Sequence, residues 1–180
     1  DGGNFVAVWS DNDADNSSDG VMARLFLPDG EPVGRNFRVN QTSEGAQNRS
    51  DVAMTPSGGF VVVWQDARFA DFKRRVRGRV FAADGEPVSD ELAISDDLAI
   101  DHSWPRVDVD AQGNFAVVWE RGLVGRNTDL ALRRFDALGN SLGPISLVNG
   151  DTRVSHASGI HHQSDIARDA AGNMVVIWRA

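Results

Sequence analysis

The sequence predicts an all-β protein built from one repeated antiparallel meander, and three observations predict it. One apolar strand ending in tryptophan recurs four times, as GNFVAVW to Trp9, GGFVVVW to Trp64, GNFAVVW to Trp119 and GNMVVIW to Trp178, at spacings of 55, 55 and 59 residues. Glycine-centred turns recur at fixed places between short apolar segments. No stretch shows the 3.6-residue periodicity of an amphipathic helix.

Each element of the unit follows the same period. Strand A is SDVAMT from Ser50, PRVDVD from Pro105 and SDIARD from Ser164, and strand B is the tryptophan strand. Strand C is typified by GRVF from Gly78 and strand D by ELAIS from Glu91. Between A and B lie Gly58-Gly59, Gly113-Asn114 and Gly172-Asn173, residue types that accept positive φ in a tight hairpin. Between C and D lie Asp29-Gly30, Asp84-Gly85 and Gly139, which close a second short hairpin.

Strand B is apolar on both faces, so its sheet has to be covered on both sides. Radially packed four-stranded meanders satisfy this as β-propeller blades of about 55 residues. A two-sheet sandwich is the alternative, but it gives no reason for the near-constant spacing. The expected division is a single repeat domain over 1-180. Within it 1-49 is a partial blade (strands B, C and D), 50-104 and 105-163 are whole blades, and 164-180 is a partial blade (strands A and B). That phase predicts a partial ring, completed by oligomerisation or by neighbouring repeats. The opening at Asp1, inside a repeat, reads as a processed product or a piece of a longer protein.

Composition narrows the function classes. The chain has 180 residues, a formal net charge of -8 and no cysteine. The acidic balance argues against nucleic acid, and the cysteine count excludes disulfides, thiolate zinc sites and a cysteine nucleophile. Apolar runs of five or six residues predict no membrane insertion by a helix.

GGFVVVWQD, followed by R-x-F-x-x-D-G-E-P-V and F-x-V-N, resembles the tandem repeats of large bacterial cell-surface and secreted proteins. The resemblance covers nearly the whole chain. It implies an extracellular or cell-surface, adhesin-like array and brings no catalytic residues. The stretches between strands B and C depart from the family pattern and differ from one another.

The A to B and C to D hairpins are expected on one face and the longer, variable connections on the other, where ligand recognition belongs. The first of these connections carries Asp11, Asp13, Asp15, Ser17 and Asp19 at alternate positions, a spacing that suits calcium, although Met22 stands where a bidentate glutamate would complete the loop. A solvated acidic loop is the plainer alternative. Lys73 and Arg74 belong to a basic run from Arg68 to Arg79 that could recognise an acidic sugar, or form a solvated face. Trp104 beside His102, in a D to A connection, could stack on a sugar ring or pack between blades. Arg24, Arg79 and Arg133 recur at one repeat position and read as an interblade contact.

His156, His161 and His162 form a loop cluster with imidazole donors but without a carboxylate at helical spacing. Gly139-Asn140-Ser141-Leu142-Gly143 spells G-x-S-x-G, yet it falls in a hairpin, so Ser141 reads as a turn residue and not a nucleophile.

The leading functional expectation is a non-enzymatic binding or scaffold module that recognises a carbohydrate or protein ligand through its variable loops. A fragment of a propeller glycosidase or lyase and a structural spacer in a surface array are the alternatives. The absence of tyrosine excludes a tyrosine nucleophile from the glycosidase alternative.

Overall fold

The structure, a computed structural model, describes residues 3–12, 18–68, 73–96, 100–122, 128–148 and 164–179. These residues form thirteen strands and no helix. The first sheet is β1 (Phe5–Asp11), β2 (Gly20–Phe26) and β3 (Pro32–Arg38). The second is β4 (Gln47–Met54), β5 (Phe60–Asp66), β6 (Arg75–Phe81) and β7 (Leu92–Ala93). The third is β8 (Asp101–Val109), β9 (Phe115–Gly122), β10 (Thr128–Phe135) and β11 (Ser146–Leu147). The last is β12 (Asp165–Arg168) with β13 (Met174–Ile177). Every pairing is antiparallel and joins strands adjacent in sequence, so the four-stranded sheets are meanders.

The hairpin geometry follows from the turn residues. In Asp110–Asn114 the Asp110 amide donates to the Asn114 carbonyl and the Gly113 amide to the Asp110 carbonyl. The same pair of bonds recurs in the turns beginning at Leu27, Thr55, Ala82, Asp136 and Asp169. The fourth turn residue needs positive φ, and Gly113 supplies it at 83°. Where the first residue is aspartate and the fifth asparagine, the carboxylate also receives the fifth residue's amide and side chain, as Asp136 does from Asn140.

Packing between sheets is directional. Phe60, Val62 and Trp64 on β5 face back to the first sheet, against Val21, Ala23 and Leu25. Val61 and Val63 face forward, against Phe115, Val117 and Trp119 of the third sheet. Ala116 and Val118 in turn face forward against Ile166, Met174 and Val176. The period of two along a strand therefore divides each strand B into a backward face with the bulky aromatics and a forward face of small aliphatics. A stacked cross-strand pair recurs at the start of each of the first three: Phe5 on Phe26, Phe60 on Phe81 and Phe115 on Phe135, with ring centroids 4.9–5.0 Å apart.

The guanidinium of Arg79 lies over the Phe81 ring and donates to the Val39 carbonyl of the preceding sheet at 3.0 Å. Arg133 repeats this over Phe135 and donates to Ile94 at 3.0 Å. Arg24 lies over Phe26 and donates within its own sheet, to Gly34.

The first strands β4, β8 and β12 lie side by side and define the inner edge of the stack. Their free edge amides find acceptors in the neighbouring sheet. Asp51 accepts from the Val107 amide at 2.9 Å, and Asp108 accepts from the Arg168 amide.

Candidate functional site

The inner edge offers two ends. At the hairpin end, turns from successive sheets surround a pocket of about 470 Å³, lined in part by Asn4, Thr55, Asp110, Arg168 and Asp169. Its charged groups are engaged with one another and with the turns, although the buried Arg168 Nε has no acceptor. Arg168 pairs with Asp110 at 2.9 Å and donates to the Asn114 carbonyl at 2.8 Å. Burial alone would raise the Asp110 carboxyl, but hydrogen bonds from Asn114 and the Gln112 amide, with the Arg168 charge, hold it below the usual carboxylate range. Asp169 is likewise capped by Asn173 and the Ala171 amide.

At the opposite end, β4 and β8 each carry a β-bulge, between Asn48 and Asp51 and between Ser103 and Arg106. Arg49 and Trp104 lie inside these bulges with φ of 55° and 54°, and they are the non-glycine residues of positive φ among those described. Such backbone costs about 1–3 kcal/mol per residue, and it persists where the surroundings over-determine it. The bulges occupy the same repeat position, 55 residues apart, and bring the Arg49 guanidinium over the Trp104 indole at 3.7 Å from the ring centroid.

Around this pair gather residues from both sheets. Arg74 donates its amide to Asp101 at 2.9 Å and its side chain to the same carboxylate at 3.3 Å. Burial alone would raise the Asp101 carboxyl, but these Arg74 contacts and the Lys73 charge lower it overall. Burial, reinforced by the Arg74 charge, lowers the Arg49 pKa, while Glu120 acts in the opposite sense. Gln65, which faces Asn48 across the β4–β5 ladder, donates to its side chain at 3.1 Å. Asn48 in turn donates to Asp19 at 2.9 Å.

The structure therefore brings three of the four expected ligand residues, Arg74, His102 and Trp104, to one end, with Lys73 beside Asp101. His102 and Trp104 lie within β8 and not in a connection between sheets. His102 is buried, its Nδ1 accepting from the Trp119 indole at 2.9 Å, which makes it a core partner of strand B. Arg49 had no distinguishing signal in the sequence beyond standing one repeat before Trp104.

The rest of the basic run is paired or directed inward. Arg68 bridges Asp66 and Glu91 at 2.9 and 2.8 Å, and Arg77 approaches Asp66 at 4.0 Å. Burial raises the Asp66 carboxyl despite those contacts. In the acidic stretch, Asp11 ends β1 and Asp19 immediately precedes β2, whereas Asp13, Asp15 and Ser17 lie outside the described residues. Among the described residues no three histidine or carboxylate side chains gather as metal ligands. His156, His161 and His162 also lie outside them. Ser141 sits in its hairpin, accepting from Arg133 at 3.0 Å and donating to the Gly143 carbonyl at 2.7 Å.

No family model matches this sequence, and no curated protein does. Among solved structures, the endo-arabinase from Bacteroides thetaiotaomicron superposes with a TM-score of 0.60 at 10% identity. The alignment covers 99% of this chain and 66% of that one, so this chain spans slightly less than two thirds of the enzyme's length. At that identity the likeness is one of fold: the stack of antiparallel sheets described here is similar to the architecture of an endo-arabinase.

Proposed function

We propose that this chain is part of a β-propeller-type ring and serves as a non-enzymatic, extracellular or cell-surface binding or scaffold module, with its ligand taken at the inner edge opposite the hairpins. The observation that carries the reading is the stacked Arg49–Trp104 pair, two strained residues at one repeat position on adjacent first strands. Their side chains form a mixed aromatic and cationic surface, whereas the charged side chains at the hairpin end, Asp110, Arg168 and Asp169, are held in structural bonds. Further sheets of the same kind, from neighbouring repeats or a second copy, complete the ring by covering the outward faces of the first and last sheets.

The test is a titration of the chain with panels of sugar oligomers, followed by the indole proton signal of Trp104 in NMR. Shifts confined to Trp104 and its neighbours support the reading. Shifts confined to the hairpin residues Thr55, Asp110 and Asp169 overturn it.

The acidic stretch from Asp11 to Asp19 is retained in this reading as a calcium loop, tested by whether a chelator lowers the melting temperature and calcium restores it.

A second reading, part of a glycosidase, is favoured by the fold likeness and by Asp51. Burial, with a smaller contribution from the charge of Asp165, raises the Asp51 carboxyl above its ordinary value, although hydrogen bonds from the Val107 and Val52 amides and the Arg106 charge oppose the shift. Release of reducing sugar from an arabinose polymer, abolished in Asp51→Asn, would establish that reading in place of the first.

A further inference from the structure

We propose that the ligand taken by the Arg49–Trp104 pair is a sugar bearing a carboxylate, gripped by the Arg49 guanidinium. This rests on the preceding assignment of the ligand end and adds the chemical class. Arg49 is half-buried and stacked on the indole, and among the described residues its guanidinium has no hydrogen bond or ion pair to the protein. Held over the indole, the guanidinium keeps its N–H donors for a ligand.

The planar fork matches a carboxylate through two parallel hydrogen bonds, and partial desolvation strengthens each of them. The neighbouring charges leave this role to Arg49. Asp101 occupies Arg74, so the second guanidinium in the cluster is already neutralised. Glu120 is buried and favours the charged form of Arg49.

One residue along β4 from Arg49, Asn48 binds the amide nitrogen of Gln65, whose buried Oε1 accepts no hydrogen bond. That oxygen is an acceptor without a donor, enclosed within the protein and apart from the ligand. The donor pattern left open at Arg49 is that of a fork for a carboxylate. The strained backbone at both bulges fits such a use, because it holds the fork in place before the ligand arrives.

Isothermal titration of the whole chain with trigalacturonate, its methyl ester and a sulfated disaccharide tests this. The expected result is binding of trigalacturonate, weakened about tenfold by esterification and by Arg49→Gln, with Arg49→Lys recovering little because a point charge lacks the fork. Circular dichroism and melting curves establish that the variants are folded. Equal binding of the acid and its ester, or binding unaffected by Arg49→Gln but lost in Trp104→Ala, overturns the acidic class while keeping the ligand end. Preference for the sulfated sugar overturns the carboxylate in favour of another anion. No binding by any probe, with the Trp104 signal unmoved, overturns this proposal and the assignment of the ligand end together.

Discussion

The guanidinium of Arg133 donates to the main-chain oxygen of Ile94 at 3.0 Å, reaching from the third sheet back to the residue that follows the last strand of the second. Arg79 makes the equivalent bond to Val39, whereas Arg24 bonds only within its own sheet. A charged donor to a partly buried carbonyl contributes about 1.5–3 kcal/mol. Arg79→Ala and Arg133→Ala are each expected to lose stability of that order in urea unfolding. Arg24→Ala is expected to lose less than about 0.5 kcal/mol, as surface substitutions do.

The tryptophans of strand B are chemically unequal although the sequence repeats them. The Trp119 indole nitrogen donates to His102, while the buried indole nitrogen of Trp64 has no acceptor. Both rings are fully buried, so their replacement by phenylalanine removes similar volume. Trp119→Phe should therefore cost about 1 kcal/mol more than Trp64→Phe, because it breaks a bond and leaves the His102 nitrogen unsatisfied. Equal losses in denaturant unfolding would show that the His102 bond contributes nothing net.

Two sets of carboxylates give pH dependence of opposite sign. Asp110 is held below the ordinary value by Asn114, Gln112 and Arg168 against the effect of burial. Its contribution is present above about pH 4 and lost as pH falls through the depressed folded-state value. Asp110→Asn should flatten the acid limb of a stability profile measured from pH 7 down to 2. Burial raises Asp51, so the folded state holds its proton more tightly and stability declines as pH rises from about 4 through the raised value. Asp51→Asn should remove that decline.

The last sheet presents Val175 and Ile177 outward at 65% and 62% exposure, where the equivalent Val61 and Val63 are 1% and 0% exposed. Ile177→Lys should therefore leave unfolding stability within about 0.5 kcal/mol and lower self-association in light scattering. Val63→Lys places an ammonium between two packed sheets and should prevent folding. Destabilisation by Ile177→Lys comparable to that by Val63→Lys would mean that the face is covered within one chain.

The strands and their order were legible because strand B, apolar on both faces, has few alternatives to burial between sheets, and because glycine marks the fourth turn position wherever φ must be positive. The inner strands were less legible. SDVAMT and PRVDVD mark only their later parts, and the preceding Gln47-Asn48-Arg49 and His102-Ser103-Trp104 share no residue type that would announce a common strand. A bulge breaks the period of two on which strand reading depends, so His102 and Trp104 looked like a connection. Arg49 was invisible for a related reason: its partner lies a full repeat away, and pairing across sheets leaves no local pattern.

The backward and forward faces of the sheets give the stack a sense of direction, like bricks with a stud on one side and a hollow on the other. Each junction joins the aromatic face of one unit to the aliphatic face of the unit before it. Duplication of one whole unit would reproduce a junction the protein already has, and loss of one would rejoin two faces already matched. Length in such a chain can change in steps of one repeat without inventing a new interface, and the variable connections are free to diverge while the array grows or shrinks.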